Sequence, residues 1–158
     1  MRPAALALGA FLFVSLPAAA QQLVTERPWI TDGDTIRIGA TRVRLWGIDA
    51  PETTQSCDDN HYPAGLLATV QLARLMSGHK IECEDRGKDR YGRTIGLCRA
   101  DGVDVSAEMV RQGWAWAFLR YSSDYVAQER EAREAKRGVY AHNCKVPWDW
   151  RAAHREHR

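Results

Sequence analysis

Alternation of apolar and polar positions organises the first two-thirds of the chain. In Thr35-Ile36-Arg37-Ile38, and again in Arg42-Val43-Arg44-Leu45, every second residue is apolar, the period of a strand with one buried face. Residues 23–30 read as a strand that runs into a turn at Asp32-Gly33, and Gly39 supplies the turn between the two alternating runs. Two short hairpins in succession make a meander. Residues 49–62 are polar and carry Pro51, so they read as a loop. Pro63 stands where a helix can begin. Leu66, Leu67, Val70, Leu75 and Met76 then form an apolar stripe, with Gly78 as its stop. Residues 80–85 and 94–99 return to strand on either side of a charged loop, 86–93, and Asp101-Gly102 is a turn. Ser106 reads as the cap of a short helix that ends at Gly113. A last helix spans about residues 123–137, closed by Gly138, with Glu129 and Arg133 at a favourable i,i+4 spacing. Strands and helices do not alternate, which argues against a parallel α/β sheet. The pattern predicts a mainly β, α+β domain: a small antiparallel barrel with helices packed on it.

The N-terminus departs from this pattern. Arg2, the apolar residues 4–16, Pro17 and Ala18-Ala19-Ala20 have the layout of a secretory signal. Residues 1–20 are therefore expected to be removed and the protein exported, to the periplasm or beyond the cell. Residues 21–145 form the expected domain and 146–158 a C-terminal tail, whose end, 151–158, is expected to fray. Export changes how the four cysteines read. An even count outside the cytosol suggests two disulfides, and with no C-x-x-C pair a zinc knuckle does not fit. Three pairings are open. Cys83 with Cys98 is favoured, because each lies in an expected strand and the two strands flank one loop. Cys57 with Cys144 would then tie the tail to the body.

Composition narrows the partners. With 158 residues, 45% of them hydrophobic and 27% charged, the chain is neither a disordered tail nor a fibre. Lys+Arg of 22 against Asp+Glu of 20 gives a net charge of +2, which excludes a uniformly basic coat but leaves room for a local basic patch. The chemistry concentrates in three short clusters: Asp32-Gly33-Asp34-Thr35; Arg44 followed by Asp49-Ala50-Pro51-Glu52; and Asp89-Arg90-Tyr91-Gly92-Arg93. Asp34, Asp49 and Glu52 with Arg44 and Arg93 make a constellation of three carboxylates and two guanidiniums. Hard divalent cations take carboxylate and carbonyl oxygens. Arginines grip phosphate with paired hydrogen bonds and stay protonated. A carboxylate not spent on the metal can take a proton from water. That is the composition metal-assisted phosphodiester cleavage requires.

These clusters, with Leu97 to Gly102 and Val110-Arg111-Gln112-Gly113 after them, resemble the staphylococcal nuclease (thermonuclease) family in order and spacing over about residues 24–140. The resemblance implies an OB-fold, a five-stranded antiparallel β-barrel with about three packed helices. It implies a Ca²⁺-dependent nuclease acting on DNA and RNA with little sequence preference, endonucleolytic and leaving 3′-phosphate ends. By the same likeness Asp34 and Asp49 match the carboxylate calcium ligands, and Ala50 the ligand that acts through its backbone carbonyl. Glu52 matches the residue that orients or deprotonates the attacking water. Arg44 and Arg93 match the two phosphate-binding arginines, and Tyr91 a tyrosine near the nucleotide phosphate. The expected substrates are single-stranded or locally unpaired, and the expected protein is a monomer with no membrane partner once the signal is gone.

The remaining aromatics are less specific. At period two Trp114, Trp116 and Phe118 share one strand face and read as core, while Tyr121 is the better candidate for contact with a base. Trp148 and Trp150 are expected to pack the tail down. His61, His79 and His142 have no metal-like spacing. Two other readings stay open: an OB-fold module that binds nucleic acid without cleaving it, and an extracellular structural protein whose charge clusters are ion pairs. The full set of Asp34, Arg44, Asp49, Glu52 and Arg93 separates these from the nuclease, because a binding module has no need of all five.

Overall fold

A computed structural model describes residues 22–25 and 27–155; the expected signal, residues 1–20, lies outside them. The alternating runs fold as strands β3 (Thr35–Ile38) and β4 (Thr41–Leu45), paired antiparallel so that Thr35 faces Arg44 and Ile36 faces Val43. Before them the expected single strand is two, β1 (Gln22–Thr25) and β2 (Trp29–Ile30). Pro28 lies between them and has no N–H to carry a ladder onward. The chain changes partner there, β1 pairing with a later strand and β2 with β3. A two-residue strand, β5 (Ile48–Asp49), follows β4 and pairs with β9 (Trp116–Ala117).

Helix α1 (Ala64–Met76) starts after Pro63, as expected, but the face it buries carries Ala68, Leu72 and Met76, and of the expected stripe Leu66 and Val70 turn outward, 55% and 36% exposed. Strand β6 (Ile81–Lys88) runs three residues beyond the expected end at 85, because the ladder to β7 (Thr94–Ala100) resumes after an irregularity between Asp85 and Lys88. Gly87, with φ of 112°, sits within that interruption. The sheet curls in the order β1-β6-β7-β4-β3-β2, with β8 (Val103–Asp104) on β7. One pairing, β4 with β7, is parallel, and the others are antiparallel. Ile36, Val43, Leu45 and Ile81 fill its concave side together with Leu72 of α1. Val105 and Met109 of α2 (Val105–Arg111) complete that core. Asp104, not Ser106, caps α2: its carboxylate accepts from Ala107 N, and Ser106 lies buried inside the first turn. Helix α3 (Val126–Glu134) is shorter than the expected span and is followed by a 3₁₀ turn at Gly138–Ala141. Curled sheet and packed helices together are the α+β OB-type arrangement.

Both expected cysteine pairs lie at bonding distance. Cys83 and Cys98 face each other directly across β6 and β7. Cys57 and Cys144 join the 49–62 loop to the start of the tail. The tail does not fray at 151–155, because residues Pro147–Arg155 form a fourth helix, α4. Its base is held by the Cys144 bridge, by Gln55 Nε2 donating to the carbonyl of Lys145 at 2.7 Å, and by Trp148 against Phe118. Among the described residues no helix is long and apolar enough to cross a membrane.

Two close approaches set the floor of the site. A Cβ on Gly33 would lie 2.7 Å from the Cβ of Ala50 and 2.9 Å from that of Ala68, so the 31–35 turn meets the 50–52 segment and α1 with only those two methyls between them. A Cβ on Gly65 would lie 1.7 Å from the carbonyl oxygen of Glu52. The first turn of α1 therefore rests directly on the backbone of Glu52 and fixes where that residue stands.

Candidate active site

The strand register determines the first contact. Because Thr35 pairs with Arg44, Asp34 lies just beyond the end of the β3–β4 ladder, where its carbonyl accepts from Leu45 N at 2.8 Å. Arg44 points away from the apolar face that carries Val43 and Leu45, as the alternation requires. It is nonetheless only 8% exposed, because it is enclosed by polar partners. Nη1 donates to Asp34 Oδ1 at 2.5 Å, and Nη2 to Asp49 Oδ1 at 2.8 Å and to the carbonyl of Ile48 at 3.0 Å. One guanidinium thus holds the two carboxylates side by side. Among the described residues Arg44 Nε is buried with no hydrogen-bond partner.

Arg93 joins the same system from the loop between β6 and β7. Its Nε donates to Asp89 Oδ2 at 2.7 Å and its Nη1 to Thr35 Oγ1 at 3.3 Å. Thr35 Oγ1 in turn donates to Asp34 Oδ1 at 3.1 Å. Burial works against the charge on Asp89, but hydrogen bonds from the Arg93 side chain and from the backbone of Arg93 and Tyr91 outweigh it and hold the carboxyl below its usual range. Glu52 enters through Arg151, whose Nη1 donates to Glu52 Oε1 at 2.6 Å and whose Nη2 donates to Asp49 Oδ2 at 2.7 Å. The five residues singled out by the sequence therefore lie on one unbroken hydrogen-bond network, running from Arg93 through Thr35, Asp34, Arg44, Asp49 and Arg151 to Glu52. Thr35 and Arg151 are the two members sequence reasoning missed.

The network walls an open cleft of about 1270 Å³. Arg42, Lys88 and Arg90 give it a cationic side, while Phe118, Tyr121 and Trp148 give it an aromatic one. Tyr91 stands at its edge, 68% exposed, with the Arg90 and Arg93 guanidiniums 4.8 and 5.8 Å from its ring centre. Tyr121, the favoured base-contact candidate, does line the cleft. Phe118 differs from its expectation as core: β9 ends at Ala117, so the alternation that would bury Phe118 has stopped, and its ring meets Tyr121 and Trp148 in the cleft wall. Trp116 is buried as expected, and Trp114 packs partly buried against the core. His79 pairs with Asp101 and His142 with Asp58, and His61 bonds the carbonyl of Asp58; all three lie outside the cleft lining.

Burial drives the Asp34 carboxyl up to about 7; Arg44 opposes this, and the negative charges of Asp32 and Asp49 add to it. Charge repulsion of this kind suits a site built to receive a cation. The donors are hard oxygens: two adjoining carboxylates and the backbone at Ala50, whose N–H donates to Asp34 Oδ2 at 2.8 Å. Among the described residues no three His, Cys, Asp or Glu side chains converge on one point, so carbonyl and solvent oxygens would complete any shell.

The Asp34 shift has a consequence for stability. In the unfolded chain this carboxyl ionises near 3.8, and in the folded protein near 7. The stability that goes with the neutral form is complete below about pH 4 and is lost as pH rises toward 7. Asp34→Asn, which cannot ionise, is expected to melt several degrees above the parent at pH 7.5 in chelator, an effect of ~1 kcal/mol or more. The two should melt together at pH 4. Equal melting points at both pH values would show that the carboxyl carries no such strain.

The family model described as "Staphylococcal nuclease homologue" matches residues 42–142. A "Micrococcal nuclease" of Shigella flexneri is 35% identical over 167 residues, covering 94% of this chain and 91% of the relative. An "Uncharacterized endonuclease" of Escherichia coli O157:H7 is 38% identical over 130 residues, covering 77% and 80%. Another "Uncharacterized endonuclease", of Haemophilus influenzae, is 32% identical over 149 residues, covering 89% and 80%. With the curled sheet and the clustered carboxylates and guanidiniums, these matches place the chain in the staphylococcal nuclease family, as a nuclease that hydrolyses phosphodiester bonds.

Proposed function

We propose that this protein is an exported, Ca²⁺-dependent endonuclease that hydrolyses DNA and RNA with little sequence preference and leaves 3′-phosphate ends. The observation that carries the reading is the unbroken network that brings Asp34, Arg44, Asp49, Glu52 and Arg93 together at one cleft. Asp34, Asp49 and the backbone carbonyl of Ala50 would hold the cation, which supplies charge stabilisation at a phosphate oxygen and lowers the proton affinity of water. Glu52 accepts the proton of the attacking water. Arg44 and Arg93 donate to the non-bridging oxygens, where negative charge grows during attack. The bond from phosphorus to the 5′ oxygen breaks, and that oxygen takes a proton from solvent. Arg42, Lys88 and Arg90 attract the neighbouring phosphates, and the exposed rings favour unpaired bases, which can stack on them. Two supports favour export: the signal-like layout of residues 1–20, and two cysteine pairs of the kind that persist outside the cytosol.

The test is direct. Purified protein is incubated with end-labelled single-stranded DNA or RNA, first with Ca²⁺ and then with excess chelator. Cleavage that stops on chelation, with 3′-phosphate termini by mass spectrometry, is the expected result. Cleavage indifferent to chelator would remove the metal from the mechanism. Binding without cleavage in any divalent ion would make the protein a binding module instead.

A further inference from the structure

Asp49 is fully buried, although its neighbours Asp34, Ala50 and Glu52 all line the cleft. What closes it off is Arg151. The guanidinium sits as a fork on both carboxylate oxygens, Nη1 at 3.1 Å from Oδ1 and Nη2 at 2.7 Å from Oδ2, and the same Nη1 reaches Glu52 Oε1 at 2.6 Å. The other protein donor on the Asp49 carboxylate is Arg44, on Oδ1. A cation that reaches Asp49 beside Glu52 therefore competes with Arg151, whose guanidinium engages both oxygens of the Asp49 carboxylate.

We infer that Arg151 is a tethered counter-cation: it occupies the cation position between Asp49 and Glu52, and a divalent ion binds by exchanging with it. The inference rests on the reading of Asp49 as a ligand in the proposed function. Three observations carry it. The first is the bidentate contact itself, which satisfies Asp49 and Glu52 with one permanently charged group. The second is charge. With all three carboxylates ionised, as above about pH 7, Asp34, Asp49 and Glu52 face Arg44 and Arg151, which leaves one negative charge in excess; a divalent ion in place of Arg151 brings the same group of residues to neutrality. The third is the tether. Cys57–Cys144, the Gln55–Lys145 hydrogen bond and the Trp148–Phe118 contact fix the base of α4, and Arg151 docks one turn further along. The released side chain stays beside the site and returns at high effective concentration when the ion leaves. Its 34% side-chain exposure makes that release feasible without opening the core.

The test measures Ca²⁺ binding itself, without substrate. Isothermal titration calorimetry compares the full-length parent with Arg151→Gln and with Arg151→Lys, which keeps the charge but loses the fork. Exchange predicts that Arg151→Gln binds Ca²⁺ about tenfold tighter or more, with Arg151→Lys between it and the parent. In parallel, amide hydrogen exchange across Pro147–Arg155 of the parent should accelerate when Ca²⁺ is added. That second readout needs no variant and holds even if Arg151→Gln folds poorly. Equal or weaker Ca²⁺ affinity in the folded variants, or unchanged exchange in α4 with the ion bound, overturns the inference and leaves the metal reading standing. No Ca²⁺ bound by parent or variants overturns both.

Discussion

Arg44→Ala is expected to lower turnover by about 10²–10³-fold and, separately, to cost the protein roughly 3–5 kcal/mol of stability. The catalytic part follows from its donors. Arg44 lines the cleft, and removing one preorganised donor from a developing phosphate charge has an effect of that size. The stability part follows from its surroundings. The residue is 8% exposed and is the shared partner of Asp34 and Asp49, the latter fully buried. Without it, two adjoining carboxylates face each other in a low-dielectric setting and the carbonyl of Ile48 loses a donor. Arg93→Ala provides the contrast. Its partner Asp89 lies on the same loop four residues away, so turnover should fall by a similar factor with far less loss of stability. Urea denaturation in chelator and single-turnover kinetics in Ca²⁺ separate the two quantities. An Arg44→Ala protein as stable as the parent would mean that the buried network is not a stability element.

How much of this was legible beforehand depended on the range of each signal. The β3 and β4 alternation and the turn glycines are local, and they placed Asp34 beside β3 and Arg44 on β4; the α1 stripe gave the helix but not its buried face, because small Ala68 and Leu72 pack inward while Leu66 and Val70 face out. The β-strand pairing of Cys83 with Cys98 followed from two strands around one loop, and the structure places the two residues opposite each other. Failures came where tertiary context overrode a local rule. Ser106 and Asp104 both belong to cap-forming types, and only the position of the Asp104 carboxylate below Ala107 N decides between them. Phe118 obeyed a period that ended one residue before it. Arg151 was beyond local reading altogether: it is 102 residues from Asp49 in a stretch rich in charge, where nothing distinguishes it from its neighbours. The one indirect sign was the expected Cys57–Cys144 bridge, which ties the tail within a few residues of Glu52 and so brings any nearby cation toward the carboxylates.

Glu52→Gln is expected to remove most of the activity while leaving the protein folded and able to hold its substrate. The backbone at this position is secured without the carboxylate. Gln55 N donates to the Glu52 carbonyl at 2.7 Å, Glu52 N donates to Gln55 Oε1 at 3.2 Å, and the Cα of Gly65 packs against that same carbonyl. The side chain itself is 37% exposed and pairs with a partly exposed arginine, so its loss should change stability by no more than about 0.5 kcal/mol. Glutamine keeps the shape and an acceptor oxygen but cannot take up a proton at neutral pH. A general base contributes typically ~10²–10⁴ in rate, so kcat should drop by at least about a hundredfold. KM should move little, because Arg44, Arg93 and the cationic side of the cleft do not depend on Glu52 for their grip on phosphate. Glu52→Asp gives the finer test: it restores the proton acceptor one methylene short and should recover part of kcat through geometry alone. If Glu52→Gln instead turns over at the parent's rate with the same melting point, the carboxylate lies off the proton's path and the attacking water must lose its proton to bulk solvent.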